Sequence, residues 1–176
     1  ELVDAAHERN MKVYLEFVTN YAHQSSPLVS EHSNWFKEVE ATPIPATEWL
    51  KEVKQFNHEI DEVQQFFFDV ADYWIEESGI DGYILHAADQ ALATFIENLT
   101  KHIKDHHVNF VVIANTLQGD SVNHLCDIAE LDAIANVELM EVIQHVFSHV
   151  DEPVSQLYEV TKNANCDNML LFADTK

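Results

Sequence analysis

Short apolar runs rich in β-branched residues alternate along this chain with apolar residues that recur at helical spacing. That alternation restricts the fold more than any other feature. The runs are Val13–Val18, Ile80–Leu85, Phe110–Ala114, Ala133–Val137 and Met169–Ala173. Continuous apolar runs of this kind suit strands covered on both faces, as in a parallel sheet. Between them, Val63, Phe67, Val70 and Trp74 fall on one helical face, as do Leu92, Phe95, Leu99 and Ile103, and then Leu139, Val142, Val146 and Val150. Leu2, Ala5 and Ala6 mark a further helix at the start. The predicted class is α/β with a parallel sheet, open or closed.

With 176 residues, 47% of them apolar, residues 1–176 are read as one segment with its own core. The longest connection runs over 19–55 and holds Pro27, Pro43 and Pro45. It is long for a plain strand-to-helix loop. Acidic residues outnumber basic ones 31 to 9, for a formal net charge of −22, and Arg9 is the one arginine. Nucleic-acid binding needs cationic side chains that displace counterions from phosphates, so that class is excluded. The acidity fits a well-hydrated surface or a high-salt habitat. No apolar run approaches the roughly 20 residues of a membrane span, and no leader pattern opens the chain. Cys126 and Cys166 make no disulfide framework and are expected to be free, buried thiols.

Several segments, in order, resemble the α-amylase superfamily of glycoside hydrolases. Lys12–Tyr21 is similar to the third-strand motif Asp-x-Val-x-Asn-His, with Glu16 in the Asp place, Val18 and Asn20 matching, and Tyr21 in the His place. Asn34-Trp35-Phe36, Phe56-Asn57 and Glu62-Val63 resemble elements that follow it. Tyr73–Tyr83, containing Gly79-Ile80-Asp81-Gly82, resembles the lead into the fourth strand. Phe110–Asn115 and Asp132–Asn136 are similar to the fifth and sixth strands, and Met169–Ala173 stands at the seventh. The resemblance implies part of a (β/α)8 TIM barrel, roughly strands 3 to 7 with their helices.

It also locates the chemistry. A retaining glycosidase needs two carboxyl groups about 5–5.5 Å apart, one to attack the anomeric carbon and one to protonate the leaving oxygen. In the family the nucleophile lies four residues after the Gly of the Asp-Gly pair. Here that residue is His86, and the arginine place two residues earlier is Ile84. The acid place holds Asn115, whose amide has no proton of suitable pKa to give. Asp174 stands near the place of the seventh-strand aspartate. Glu16, Asn20, Tyr21, Ile84, His86, Asn115 and Asp174 thus mark a vestigial site, and the expectation is no glycosidase activity. Asp81, Asp89 and Asp120 are the nearest other carboxylates, and a misplacement of about 1 Å already costs on the order of 100-fold in rate.

Other groups point less sharply. His102 and His106, and His145 and His149, are spaced i, i+4, which can hold zinc. Neither pair has the His-Glu-x-x-His form or an obvious third ligand, so solvated helix faces are expected, with no metal and no cofactor. Tyr21 and His23 read as loop residues. Trp35, Trp49 and Tyr83 are candidate sugar platforms, and Trp74 reads as core. Asn98-Leu99-Thr100 is a glycosylation sequon.

One inactive branch of the superfamily is the heavy chain of heteromeric amino-acid transporters. Asn20-Tyr21, Trp35-Phe36, Ile113–Thr116, the Asn98 sequon and the missing carboxylates resemble its surface-antigen type. That resemblance implies a non-catalytic glycoprotein ectodomain on the extracellular side of the plasma membrane. Its partner would be a multi-span transporter light chain in a heterodimer, with the membrane reached through a segment outside this chain. The alternatives are a carbohydrate-binding pseudoenzyme and a divergent α-glucan-active glycoside hydrolase.

Overall fold

The computed structural model describes residues 1–37, 51–116, 123–128, 130–135, 137–148, 153–163 and 169–170. The elements are α1 (Leu2–His7), β1 (Tyr14–Val18), β2 (Tyr21–His23), α2 (Pro27–Glu31), β3 (Phe36–Lys37), β4 (Val53–Phe56), α3 (Asp61–Ser78), β5 (Gly82–His86), α4 (Ala93–His106), β6 (Val111–Ala114), α5 (Asn123–Cys126), β7 (Ala133–Ala135), α6 (Val137–Ser148), α7 (Ser155–Asn163) and β8 (Met169–Leu170). One parallel sheet runs in the order β1-β5-β6-β7-β8. These strands occupy the runs read from the sequence, each in its expected order. The class is therefore α/β, and the sheet with its helices matches a portion of a TIM barrel.

One boundary and one connection differ from the expectation. Val137 opens α6 instead of closing a strand. The 19–55 connection is more than a loop, because β2, β4 and β3 form a small antiparallel sheet within and just beyond it. Short strands of two to four residues carry too little alternation to be read in advance. Pro27 sits in the first turn of α2, where its missing N–H is harmless.

Helix α3 shows why the layers form. Asp61 and Glu62 lie in its first turn, where carboxylates complement the helix dipole. Gly79 ends it in the left-handed conformation at φ 63°. Between them Val63, Phe67, Ala71 and Ile75 are buried. Phe17 packs on Phe67 at 6.0 Å and stacks on Tyr83 at 4.8 Å. The Tyr83 hydroxyl donates to Ala71 O at 2.8 Å, so this tyrosine is wholly core, and burial pushes its phenol well above the ordinary range. Phe17, Tyr83 and Leu85 thus face the helices. By strand alternation Tyr14, Glu16, Val18, Ile84 and His86 lie on the other face.

Gly82 belongs to that other face and is needed there. A Cβ at this position would lie 2.6 Å from Val111 O and 2.7 Å from Tyr14 Cδ1. The carbonyl is part of the β5–β6 ladder and cannot retreat cheaply. Gly82→Ala is expected to destabilise the protein by about 1–3 kcal/mol, read as a lower urea midpoint.

The two ends of the sheet are built differently. At the entry end, Asp81 N donates to Val13 O at 2.8 Å while Val13 N donates to Asp81 Oδ2 at 2.8 Å. Lys12 Nζ and His7 Nε2 reach the same carboxylate at 2.7 Å each. Burial alone would raise the Asp81 carboxyl, but these donors outweigh it and hold it far below the ordinary carboxylate range. Asp132 repeats the arrangement. Its N–H donates to Val112 O at 3.0 Å, and its Oδ2 accepts from Val112 N at 2.7 Å and from Lys104 Nζ at 2.6 Å.

Candidate functional site

At the exit end of the sheet, backbone and side chains stitch three strand ends together. Asn20, two residues beyond β1, is fully buried and donates from Nδ2 to Ala87 O at 2.8 Å and to His86 O at 3.2 Å. Its Oδ1 is buried with no hydrogen-bond partner. Ala87 adopts φ 50°, a left-handed conformation that costs a residue with a Cβ roughly 1–2 kcal/mol. Asn115 N donates to Leu85 O at 2.9 Å, and Ala88 N donates to Asn115 O at 2.8 Å. The turn after β5 is therefore over-determined by Asn20 on one side and by Asn115 on the other.

Onto this frame the sheet register places the marked side chains. Val18 is level with His86, and Ala114 is level with Leu85, so Asn115 continues the line beside His86. The Glu16 and His86 side chains meet, with His86 Nδ1 to Glu16 Oε1 at 2.7 Å. His86 and Asn115 thus stand at the exit edge of β5 and β6, and Glu16, level with Ile84 on β1, reaches up to His86 with its side chain; each is at least partly open to solvent. Ile84 lies one step deeper on the same face, half-buried. An aliphatic side chain in that place offers no cationic partner to the strand ends.

The remaining marked residues separate from this group. Tyr21 is half-buried in β2, paired with Gln55 of the small sheet. His23 shares a 2.6 Å hydrogen bond with Ser25 Oγ. Asp89 lies in a turn after β5, where its Oδ2 accepts from Gln90 Nε2 at 2.8 Å. Asp81 is at the opposite end of the sheet. Asp120, Asn136, Asp174, Trp49, His149 and Cys166 lie outside the described residues.

The aromatic platforms are corrected. Trp35 is buried, stacked on His32 at 4.0 Å, and donates from Nε1 to Glu62 Oε2 at 3.3 Å. Tyr83 is buried among the helices. Trp74, expected in the core, is 42% exposed and packs edge-on to Tyr73. Asn98 is exposed and its Nδ2 donates to Gln64 Oε1 at 3.1 Å, whereas Thr100 of the same sequon is buried.

His102 and His106 serve the helices. His102 Nε2 meets Asp72 Oδ2 at 2.9 Å and its ring stacks on Phe68, while His106 Nδ1 meets His102 O. Among the described residues no group of three or more His, Cys, Asp or Glu could hold a metal ion. No helix among them is long and apolar enough to cross a membrane.

Two features of this region carry no signal in the sequence. His58, just after β4, is 5% exposed, with Nε2 at 2.9 Å from Thr19 O and its ring stacked on Phe95 at 4.1 Å. It supports the β1 exit from beneath, and burial lowers its pKa to about 4. Cys126 is disulfide-bonded, not a free thiol.

No protein-family model matches the chain. Among curated proteins it is 23% identical over 167 residues to a cyclomaltodextrinase of Bacillus sp, covering 85% of this chain and 29% of that protein. It is 23% identical over 175 residues to the maltogenic α-amylase of Bacillus acidopullulyticus, covering 90% and 30%. It is 29% identical over 129 residues to the malto-oligosyltrehalose trehalohydrolase of Saccharolobus solfataricus, covering 68% and 21%. The chain therefore spans about a third or less of these relatives. Among solved structures it superposes on an Anoxybacillus α-amylase with a TM-score of 0.76 at 27% identity, covering 92% of this chain and 38% of that one. For the Geobacillus thermoleovorans α-amylase complexed with acarbose the TM-score is 0.77 at 22% identity, covering 95% and 40%.

These relatives overturn the transporter reading. The relatives named above are a cyclomaltodextrinase, amylases and a trehalohydrolase by name, which favours an α-glucan-related protein over a transporter subunit. The residues that suggested that branch, Asn20-Tyr21 and the Asn98 sequon, have local roles here: Asn20 pins the turn after β5, Tyr21 belongs to the small sheet, and Asn98 pairs with Gln64.

Proposed function

Since the chain has the fold of a portion of the α-amylase barrel, we propose that it forms the sugar-facing strand ends of an α-glucan-binding protein. In this reading it holds α-linked glucose oligomers at the exit edge of β1, β5 and β6 and does not cleave them by the two-carboxylate route. The observation that carries the proposal is the convergence at that edge of His86 and Asn115, on neighbouring strand ends, with the Glu16 side chain, which reaches His86 Nδ1 at 2.7 Å. Ligands of open α/β sheets and barrels bind at the carboxyl ends of the strands, so the edge is the right one. The relatives' names supply the substrate class.

The two places that need carboxyl groups carry an imidazole and an amide. Neither can form the glycosyl ester of the retaining route or return a carboxylic proton to the leaving oxygen. A disulfide at Cys126 favours an oxidising compartment for the protein.

A divergent hydrolase is the second reading, favoured by the enzymes among the relatives. Titrating the full-length protein with maltoheptaose, then assaying for new reducing ends, separates the two. Saturable binding without release of reducing ends is the expected result. Turnover at an enzyme's usual rate, roughly 1–1,000 per second, would transfer the assignment to the hydrolase. Absence of binding would remove both.

A further inference from the structure

We propose that His86 is a general base for the hydrolysis of neutral carboxylic esters, with Glu16 as its positioning residue and the Asn115 amide as donor to the carbonyl oxygen. This is an activity of its own and does not depend on the glucan reading. An ionised Glu16 can only accept, so the 2.7 Å contact is a donation from His86 Nδ1–H to Glu16 Oε1. That donation fixes the tautomer. The lone pair then sits on Nε2, on the side of the ring turned away from Glu16. A carboxylate that orients an imidazole and leaves its far nitrogen basic is the arrangement that draws a proton from an attacking hydroxyl or water. The His86 side chain is 38% exposed, so water reaches it.

The backbone around the ring is held in place. Asn20 Nδ2 grips the His86 carbonyl at 3.2 Å and the Ala87 carbonyl at 2.8 Å, and Ala87 is kept at φ 50°. Asn115 is clasped to the same turn, through its N–H to Leu85 O and its carbonyl to Ala88 N. Its side chain is half-buried and makes no hydrogen bond among the described residues, which leaves the amide to donate. His86 and Asn115 are rooted level on adjacent strands, about 5 Å apart by ordinary strand spacing. Base and donor can therefore address one carbonyl group, and a donor fixed where an oxyanion develops lowers the barrier.

The step balances with water as the only co-reactant. The water oxygen bonds to the carbonyl carbon as its proton passes to His86 Nε2. The carbonyl oxygen takes up the negative charge beside the Asn115 amide, and the imidazolium stays paired with Glu16. The tetrahedral species then expels the alcohol oxygen. That C–O bond breaks, and the proton on Nε2 goes to the departing oxygen. Acid and alcohol leave, and His86 is neutral again. The charges also set the substrate class. Glu16, on a chain of formal charge −22, repels phosphate esters, whereas a carboxylic ester carries no charge.

The test is hydrolysis of p-nitrophenyl acetate by the full-length protein, for the wild type, His86→Phe, Glu16→Gln and His23→Phe. The wild type is expected to exceed His86→Phe on the order of 100-fold in kcat/KM, as a placed base usually contributes. Glu16→Gln keeps an oxygen for Nδ1–H but lacks the charge that steadies the imidazolium, so kcat should fall on the order of tenfold with KM unchanged. His23→Phe removes another exposed imidazole and should match the wild type. Thermal midpoints of all three variants are expected to equal that of the wild type. Equal rates in wild type and His86→Phe would overturn the proposal and leave the glucan assignment untouched, because that assignment is read by maltoheptaose binding. Acetylated protein in the intact mass during turnover would also overturn it, since His86 would then be attacking the ester itself and not activating a water.

Discussion

Opening the disulfide at Cys126, by reduction or by Cys126→Ser, is expected to lower the unfolding free energy by about 2–4 kcal/mol. In the chain-entropy account such a cross-link removes freedom from the unfolded ensemble. The elements β7, α6, α7 and β8 follow Cys126 in the chain. Neither β7 nor β8 has more than three residues, and α7 is nine residues long, so local structure contributes little there. Urea unfolding with and without a thiol reductant gives the result directly. Equal midpoints would show that the cross-link does not stabilise the native state. A separate early transition under reduction, with the α3–α4 layer still folded, would place the loss in the elements after Cys126.

Acidification is expected to remove about 3 kcal/mol through one residue, His58. Its pKa is lowered from 6.5 to about 4 because burial against Phe67 and Phe95 disfavours the charged form, which outweighs the hydrogen bond to Thr19 O that favours it. The native state keeps the ring neutral down to about pH 4, while the unfolded chain takes up the proton near 6.5. Between those values the unfolded state binds more protons, so stability is complete above about pH 6.5 and is lost as pH falls toward 4. The size follows from about 1.4 kcal/mol per pH unit across that window. His58→Gln retains a donor for Thr19 O and cannot titrate. The difference in unfolding free energy between wild type and variant should shrink by about 3 kcal/mol from pH 7 to pH 4, which cancels the other titrating groups. A constant difference would mean that His58 takes up its proton at the same pH in the folded and unfolded protein.

The long-range order of this fold was legible because its signal is redundant. Each strand of the main sheet announces itself by β-branched or aliphatic residues, and the long helices α3, α4 and α6 by apolar stripes, although in α3 the stripe Val63, Phe67, Val70 and Trp74 is rotated from the buried set Val63, Phe67, Ala71 and Ile75. The small antiparallel sheet was not legible, since Tyr21–His23 and Phe36–Lys37 are too short to show a period. At the site, the positions of His86 and Asn115 followed from counting along the chain. The partnership of His86 with Glu16 did not, because those residues are 70 apart and only the β1–β5 register makes them neighbours. His58 gave no warning either. A histidine after a short strand looks the same in sequence whether its ring is in water or under Phe95. Trp35 and Tyr83 misled for a related reason: a large aromatic ring reads alike as a platform and as a core residue until its neighbours are known.

The paired aspartates at the entry end have a consequence for how such a sheet can change. Each of Asp81 and Asp132 grips the N–H of the strand before it, while its own N–H answers the carbonyl of that same residue. A strand that slid by two residues would keep its side chains on the correct faces, yet it would strand a carboxylate and a lysine without each other. The entry end therefore sets the phase of the whole sheet, as an index pin sets a dial. The exit end is relieved of that duty. The imidazole of His86 and the amide of Asn115 stand there without holding any strand in alignment, so the chemistry of this surface is free to be rewritten while the geometry that presents it stays the same.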